Sequence, residues 1–321
     1  MLDALQAKIR RKIRTSQRVL VATHVRPDGD AIGSLLGLGL ALRQAGKSVQ
    51  MLSTDGVPVS YRHLPGSQDI IQRPEGEFDL TIVLDCSDQD RAGKNFNGFN
   101  PPDLNIDHHV TNLLFAKLNL VDTTAVATAE ILAGNLGGWD LPMTPDVAAA
   151  LLTGIITDTL GFRTSNMTPK VLRLAADLME VGAALPDLYQ RSLVERSFEA
   201  MRFWAAGLAK LEREGPIVWT TLSMADRQGT GYPGRDDADL INELSAITDA
   251  AVSIVFVEQP SGNIKVSWRA QPGIDVSAIA LRFGGGGHPS AAGAEVEGTL
   301  DDVRQRIILE TRQLIRDEIK A

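Results

Sequence analysis

The chain has little of several features on which whole classes of protein depend. Its 321 residues include one cysteine, so no disulfide can form within the chain, and a reducing compartment is expected. No apolar stretch is long enough for a transmembrane helix, and the N-terminus has no signal-peptide core. Only 5% of the residues are aromatic and the four tryptophans are scattered, so no base-stacking platform is predicted. We therefore expect a cytoplasmic protein without a membrane partner.

Positive charge is also in short supply. The formal net charge is −8, so the chain lacks the attraction on which broad binding to duplex DNA depends. A small anionic substrate is compatible with this charge, because carboxylates that hold divalent cations themselves form an anion site. With 44% hydrophobic and 22% charged residues, the composition is that of a soluble globular protein, and the length predicts about two domains.

One stretch near the N-terminus carries the strongest pattern in the chain. The apolar run Val19–Ala22 predicts a strand that ends near His24, and a helix is predicted over 31–44. His24, Asp28 and Asp30 then lie where ligands bind in open α/β sheets, and one nitrogen with two carboxylates suits a divalent cation. The alternative at this point is that the two carboxylates only cap the helix and the histidine only packs.

Two further strands end in the same way. The apolar strand 78–84 is followed by Asp85, and the strand 104–106 by the tripeptide Asp107-His108-His109. Asp158 follows an otherwise apolar helix, where a carboxylate is expensive to bury unless it is paired or holds a metal. This set exceeds what one ion needs and fits two cations about 3.5–4 Å apart that share a carboxylate.

Strands that alternate with helices predict two α/β domains, the first built on a parallel sheet. We place the first domain at 1–186, a helical connector at 187–212 and a smaller α/β domain at 213–321. Residues 55–77 are expected to hold only short structure. The predicted helices are 1–16, 31–44, 125–137, 144–160, 168–181, 187–212, 236–247 and one from 301, and the predicted strands are 19–22, 48–52, 78–84, 104–106, 217–222, 251–257, 263–269 and 294–296.

The second half of the chain offers candidate phosphate contacts. The run 284–287 consists of four glycines, whose backbone N–H groups can cradle an anion, although a flexible loop is the alternative. Ser267 and Arg269 alternate along one strand and share a face, and a solvated arginine is the other reading of Arg269. In the first half, Arg163 follows Asp158 closely enough to face the same site.

Taken together and in order, these motifs resemble the DHH phosphoesterase family and, in the second half, its DHHA1 domain. The length, without an added nucleic-acid module, is most similar to the NrnA-type branch of that family. The resemblance spans residues 24 to 288. The motifs that carry it are His24-x-x-x-Asp28-x-Asp30, Asp85, Asp107-His108-His109, Asp158 and Phe283-Gly-Gly-Gly-Gly-His288.

The resemblance implies two bound Mn²⁺ ions per chain, with Mg²⁺ or Co²⁺ as substitutes. Asp85 would bridge the ions, with His24 and Asp28 on one of them. Asp107 would orient the histidine pair, and His109 would face the scissile phosphate to stabilise charge or protonate the leaving oxygen. The implied metal ligands are His24, Asp28, Asp30, Asp85, His108 and Asp158.

The resemblance also implies an activity, carried out in a cleft between the two domains. The expected reaction is hydrolysis of short single-stranded oligoribonucleotides and of 3′-phosphoadenosine 5′-phosphate. Alternatives are hydrolysis of linear or cyclic dinucleotides (pApA, pGpG, c-di-AMP) and a non-enzymatic nucleotide-binding protein. A homodimer is compatible with the resemblance. The predicted substrate-binding residues are Arg163, Ser267, Arg269, Gly284, Gly285, Gly286, Gly287 and His288.

Overall fold

The computed structural model describes residues 2–99 and 101–318, and the chain divides into two compact units between Glu195 and Arg196. The first unit contains six helices and six strands in its described part. The helices are α1 (Leu2–Thr15), α2 (Gly29–Gln44), α3 (Thr128–Asn135), α4 (Pro145–Asp158), α5 (Pro169–Val181) and α6 (Leu185–Tyr189). The strands are β1 (Arg18–Thr23), β2 (Ser48–Leu52), β3 (Ile70–Ile71), β4 (Leu80–Leu84), β5 (Leu104–Asp107) and β6 (Leu118–Val121).

The six strands form one parallel sheet in the order β3-β2-β1-β4-β5-β6. The chain enters in the middle, runs outward to β3, and returns to β4 on the other side of β1. Strand order therefore reverses between β1 and β4, which is where open α/β sheets place their ligands. The edge strands β3 and β6 were not predicted, because β3 has two residues and β6 is mostly half-buried.

Helix α2 packs on this sheet, and α4 packs in very close contact with α2. A Cβ atom added to Gly33 would lie 2.5 Å from the carbonyl oxygen of Ala150, and one added to Gly37 would lie 2.4 Å from the Leu151 side chain. At the start of α2, Gly29 approaches Thr157 near the end of α4. The two helices are therefore antiparallel, and the first turn of α2 lies beside the last turn of α4.

The second unit is built on a mixed sheet in the order β11-β12-β10-β9-β8-β7, in which only β8 and β9 pair in parallel. Its helices are α7 (Phe198–Leu208), α8 (Met224–Thr230), α9 (Leu240–Leu244), α10 (Ser277–Arg282) and α11 (Leu300–Glu318). Its strands are β7 (Glu212–Glu214), β8 (Ile217–Leu222), β9 (Val252–Glu258), β10 (Ile264–Ala270), β11 (Gly286–His288) and β12 (Ala291–Val296).

The prediction of one helix over 187–212 is wrong. The chain instead leaves α6 through a π-helical turn at Gln190–Val194 and becomes extended at Glu195. A new helix then begins after Ser197, whose hydroxyl accepts a hydrogen bond from the Ala200 N–H group. Ser197 is thus an N-cap inside a segment whose charged, helix-forming composition hid the interruption.

Two other predictions for the second unit need correction. The helix expected at 236–247 is only α9, because Ala238 and Asp239 both have left-handed backbone angles that block an earlier start. Helix α8 was missed, although Ser223 and Asp226 form a capping box at its start.

Within the described ranges, no helix combines the length with the apolar character that crossing a bilayer requires.

Candidate functional site

The ends of three neighbouring parallel strands meet at one edge of the first sheet. His24 follows β1, Asp85 follows β4, and Asp107 is the last residue of β5. All three side chains are buried, as is that of His108. The sequence-predicted candidates on these three strands therefore lie together at the point where the strand order reverses.

The antiparallel helices α2 and α4 bring the remaining carboxylates to the same edge. Asp28 is the N-cap of α2 and accepts a hydrogen bond from the Ala31 N–H group at 3.0 Å. Asp30 lies in the first turn of α2, and Asp158 is the last residue of α4. A Cβ added to Gly154 would lie 2.8 Å from Oδ1 of Asp30, so this glycine makes room for the carboxylate.

Asp85 is the centre of the arrangement. Its two carboxylate oxygens face different histidines: Oδ2 lies 3.5 Å from Nε2 of His24, and Oδ1 lies 3.6 Å from Nε2 of His108. In the described part of the first unit, three groups have ligand atoms all within 4.8 Å of one another, and each includes Asp85. These groups are His24 with Asp28 and Asp85, Asp30 with Asp85 and His108, and Asp85 with Asp107 and His109.

Each of the two histidines that face Asp85 is also close to further carboxylates. Nε2 of His24 lies 3.8 Å from Oδ1 of Asp28. Nε2 of His108 lies 3.9 Å from Oδ2 of Asp30 and 3.4 Å from Oδ2 of Asp158. The six predicted metal-ligating residues thus form two sets that share one carboxylate.

Hydrogen bonds set the tautomers of these histidines in a way that suits metal binding. Nδ1 of His24 donates to the carbonyl oxygen of Val25 at 2.9 Å, and Nδ1 of His108 donates to that of Ala125 at 3.2 Å. Both Nε2 atoms therefore direct a lone pair towards the carboxylates when the rings are neutral. Metal-ligating histidines typically donate their second ring N–H in this manner, so the donor set fits two divalent cations.

His109 has a different environment from His108. Its Nδ1 donates to Oδ1 of Asp107 at 2.7 Å. Asp107 is fully buried and also accepts from the His108 backbone N–H at 2.9 Å and from the Asn112 side chain at 2.6 Å. Asn112 was not predicted, because it lies in a segment to which no helix or strand was assigned and gives no local signal of this contact.

The carboxylates of the centre interact strongly through their charges. Burial raises the pKa of Asp30 well above its ordinary value, and the charges of Asp85 and Asp158 raise it further. Burial alone would also raise the pKa of Asp85. The closely placed rings of His24, His109 and His108 outweigh burial and hold the pKa of Asp85 well below its usual range. A centre of this kind gains from cations that neutralise the carboxylates.

The backbone at Asp85 is in the left-handed region, with φ at +55°. Its N–H still donates to the carbonyl oxygen of Ile106 at 3.0 Å, so the residue keeps its place beside β5. Aspartate tolerates this conformation better than most residues, but its occurrence at a buried strand end is backbone strain at the centre of the site.

The start of α3 contacts two of the carboxylates. The backbone N–H groups of Thr128 and Ala129 donate to Asp30, and the Thr128 hydroxyl donates to Asp85. Thr128 was not predicted as part of the site, because a threonine in the first turn of a predicted helix is common.

In the second unit, Arg269 and Ser267 lie on β10, with Trp268 fully buried between them in sequence. Nε of Arg269 donates to Oδ1 of Asn242 at 3.1 Å, and Nη1 donates to the carbonyl oxygen of Trp268 at 3.0 Å. Asn242, on α9, was not predicted. Ser267 is buried.

The glycine run is only partly a loop, so the flexible-loop alternative does not describe all four residues. Gly286, Gly287 and His288 form the edge strand β11, and His288 lies opposite Ala291 of β12. A Cβ added to Gly287 would lie 2.4 Å from the Ala291 carbonyl oxygen, whereas one added to Gly286 would meet nothing within 4 Å.

The other two glycines repeat this alternation. A Cβ added to Gly285 would lie 2.1 Å from the carbonyl oxygen of Gly293, and one added to Gly284 would meet nothing within 4 Å. Alternate glycines thus permit close packing on β12, and the others leave an open face. In the first unit, Arg163 is exposed and follows three consecutive residues with positive φ, Leu160, Gly161 and Phe162.

The chain is similar to known proteins in family motifs, in sequence and in fold. The model of the DHH family, N-terminal domain, matches residues 18–155, and that of the DHHA1 domain matches residues 222–317. A protein of Thermus thermophilus named bifunctional oligoribonuclease and PAP phosphatase NrnA is 34% identical, over 94% of this chain and 90% of its own length. Its namesake in Bacillus subtilis is 26% identical over 98% and 99%. The fold resembles that of an exopolyphosphatase-related protein from Bacteroides fragilis, with a TM-score of 0.88 at 22% identity, covering 99% of this chain and 98% of that one.

Proposed function

This chain belongs to the DHH family and carries a DHHA1 domain, and from that premise we propose that it is a metal-dependent phosphoesterase that hydrolyses short oligoribonucleotides and 3′-phosphoadenosine 5′-phosphate. The two relatives named above carry both activities in their names. The 34% identity to the first covers 94% of this chain and 90% of the relative, so the match includes both units of this chain.

The observation that carries the proposal is the position of Asp85 between His24 and His108, with one carboxylate oxygen towards each histidine. An arrangement of two ligand sets that share a carboxylate is typical of two-metal phosphoryl-transfer sites. We assign His24 and Asp28 to one cation, and Asp30, His108 and Asp158 to the other. Imidazole with carboxylate donors suits Mn²⁺, which we propose as the metal.

Bound cations at such a site supply an activated water and neutralise charge on the phosphate. The side chains of this chain do the remaining work. Asp107 holds Nδ1 of His109, which leaves Nε2 of that ring as the atom that exchanges a proton with the substrate. We assign His109 the role of stabilising the phosphate or protonating the leaving oxygen. Arg163 is proposed to contact the substrate from the same unit.

The second unit is proposed to bind an anionic part of the substrate remote from the bond that is cleaved. Arg269 is a cation whose Nε donates to Oδ1 of Asn242, and the glycine run has no side chains of its own to cover its backbone N–H groups. Ser267, the four glycines 284–287 and His288 complete the proposed set. Remote contacts of this kind position the reacting phosphate and restrict hydrolysis to substrates that reach them.

The test is incubation of the purified protein with Mn²⁺ and a mixture of substrates, followed by mass spectrometry. The mixture contains RNAs of two to five nucleotides, 3′-phosphoadenosine 5′-phosphate, pApA, pGpG and c-di-AMP. We expect mononucleotides from the RNAs and AMP with phosphate from 3′-phosphoadenosine 5′-phosphate. Exclusive turnover of dinucleotides would favour the alternative specificity, and binding without turnover of any substrate would contradict the proposal.

A further inference from the structure

The first turn of α3 has no side-chain cap of its own. Its N-cap position is Ala127, which offers no acceptor side chain. The carboxylate of Asp30, on α2, takes this role from a distance of 98 residues in sequence. Its Oδ2 accepts from the Thr128 N–H at 2.6 Å, and its Oδ1 accepts from the Ala129 N–H at 3.0 Å. A carboxylate at a helix N-terminus is stabilised both by these donors and by the helix dipole.

Thr128 reaches a second carboxylate with its side chain. The hydroxyl donates to Oδ1 of Asp85 at 3.1 Å, across 43 residues of sequence. Thr128 is completely buried, and the exposed fractions of Asp30 and Asp85 are 1% each. One residue therefore contacts both carboxylates, by its backbone to one and by its hydroxyl to the other.

We propose that Thr128 is a positioning residue that fixes Asp30 and Asp85 relative to each other, so that both ligand sets are formed before metal binds. This inference rests on the proposed metal site and adds to it a residue that is not itself a ligand. The contact with Asp85 needs a hydroxyl, which threonine and serine have and valine lacks. Asp85 belongs to both ligand sets, so a loss of this contact is expected to weaken both ions.

The alternative is that the hydroxyl only satisfies its own hydrogen-bonding need. Thr153, on α4, provides the matched control for that reading. It is equally buried, and its hydroxyl donates to the Ala149 carbonyl oxygen at 2.9 Å within its own helix. Threonine-to-valine substitution at either position removes one buried hydroxyl and keeps the shape of the side chain.

The experiment measures Mn²⁺ binding to the full chain by calorimetric titration, without any substrate. We expect Thr128→Val to raise the dissociation constants of both ions by about tenfold or more, as is usual when a partner of a metal ligand is removed. Thr128→Ser keeps the hydroxyl and should stay close to the parent, and Thr153→Val should match the parent. Circular dichroism of the metal-free proteins checks that each variant is folded. If Thr128→Val does not fold, Thr128→Ala is used in its place.

Parent-like affinity of Thr128→Val for both ions would overturn the inference, as would equal losses in Thr128→Val and Thr153→Val. The outcome is separable from that of the proposed function. A parent protein that binds two Mn²⁺ ions but hydrolyses none of the nucleotides refutes the function while the comparison of variants stands. A parent that binds no Mn²⁺ refutes both proposals.

Discussion

Oδ1 of Asp107 accepts a hydrogen bond from Nδ1 of His109 at 2.7 Å, whereas the neighbouring His108 donates its Nδ1 to a backbone carbonyl. Two adjacent histidines of one tripeptide are thus held by acceptors of different charge. The carboxylate fixes the orientation of the His109 ring through a charged acceptor, and the carbonyl fixes that of His108 through a neutral one. The two different roles that we propose for these rings rest on this difference.

The first prediction concerns His109. Replacement by alanine should leave Mn²⁺ affinity nearly unchanged and lower kcat by about 10²–10⁴-fold, the usual contribution of general acid–base catalysis. His108→Ala should instead lose one ion. Steady-state kinetics at saturating Mn²⁺, with metal titrations of both variants, make the comparison. A normal rate for His109→Ala at high Mn²⁺, together with weak metal binding, would exchange the two roles.

The second prediction concerns Asp85. Asparagine tolerates the left-handed backbone of this position, so Asp85→Asn should fold. Its neutral amide cannot neutralise two cations, and we expect both ions and nearly all activity to be lost. Asp28→Asn, which preserves the helix cap, should lose only one ion. Elemental analysis after gel filtration gives the stoichiometries, and two metals per chain in Asp85→Asn would refute the shared-ligand assignment.

The third prediction concerns substrate size. Arg269→Ala should strongly reduce turnover of 3′-phosphoadenosine 5′-phosphate and of dinucleotides, but not of bis-p-nitrophenyl phosphate, which is too small to reach a second anchoring group. Asn242→Ala should also weaken turnover of the nucleotides, through a higher KM, because Nε of Arg269 loses its acceptor. Arg304→Ala, which removes a cation paired with Glu212 and Asp301, is the control. Equal losses on large and small substrates would place Arg269 at the reacting phosphate.

The fourth prediction tests the close packing of α2 on α4. Gly33→Ala places a methyl group against the Ala150 carbonyl and should destabilise the protein by about 1–3 kcal/mol, as overpacking does. Metal affinity should fall too, because Asp30 and Asp158 lie on the two helices that separate. Gly134→Ala, on an exposed position of α3 with open space, should slightly increase stability. Urea denaturation and Mn²⁺ titration measure both effects, and an unchanged stability of Gly33→Ala would contradict the prediction.

The parts of the site that could be predicted from sequence are those that local pattern determines. A parallel sheet brings the carboxyl ends of its strands to one edge, so strand-end residues such as His24 and Asp85 could be placed at that edge from the sequence. The structure adds that their strands, β1 and β4, are neighbours. Asp158 could be predicted because a carboxylate at the end of an apolar helix is costly to bury unless it is paired or holds a metal. The roles of these residues as metal ligands remain proposals that the experiments above address.

Other parts depend on contacts that no local pattern reveals. Thr128 meets Asp85 across 43 positions, and Asn242 meets Arg269 across 27. Threonine and asparagine are common at helix starts and on helix surfaces, so neither residue stands out in the sequence. Ser197 likewise interrupts a segment whose composition favours one helix, and only its hydrogen bond to the Ala200 N–H shows where α7 begins.

Because α4 follows α2 by about a hundred residues, the two helices that pair in the fold are synthesised at different times. His24, Asp28 and Asp85 leave the ribosome long before Asp158, which ends the helix that covers α2. A nascent chain can therefore complete the first proposed ligand set while the second still lacks Asp158. Helices α5 and α6 are made later still, and Val171, Ala175 and Leu188 from this part of the chain belong to the same core. A cation in the second proposed set would thus report that α4 has docked on α2, before the last helices of the unit are in place.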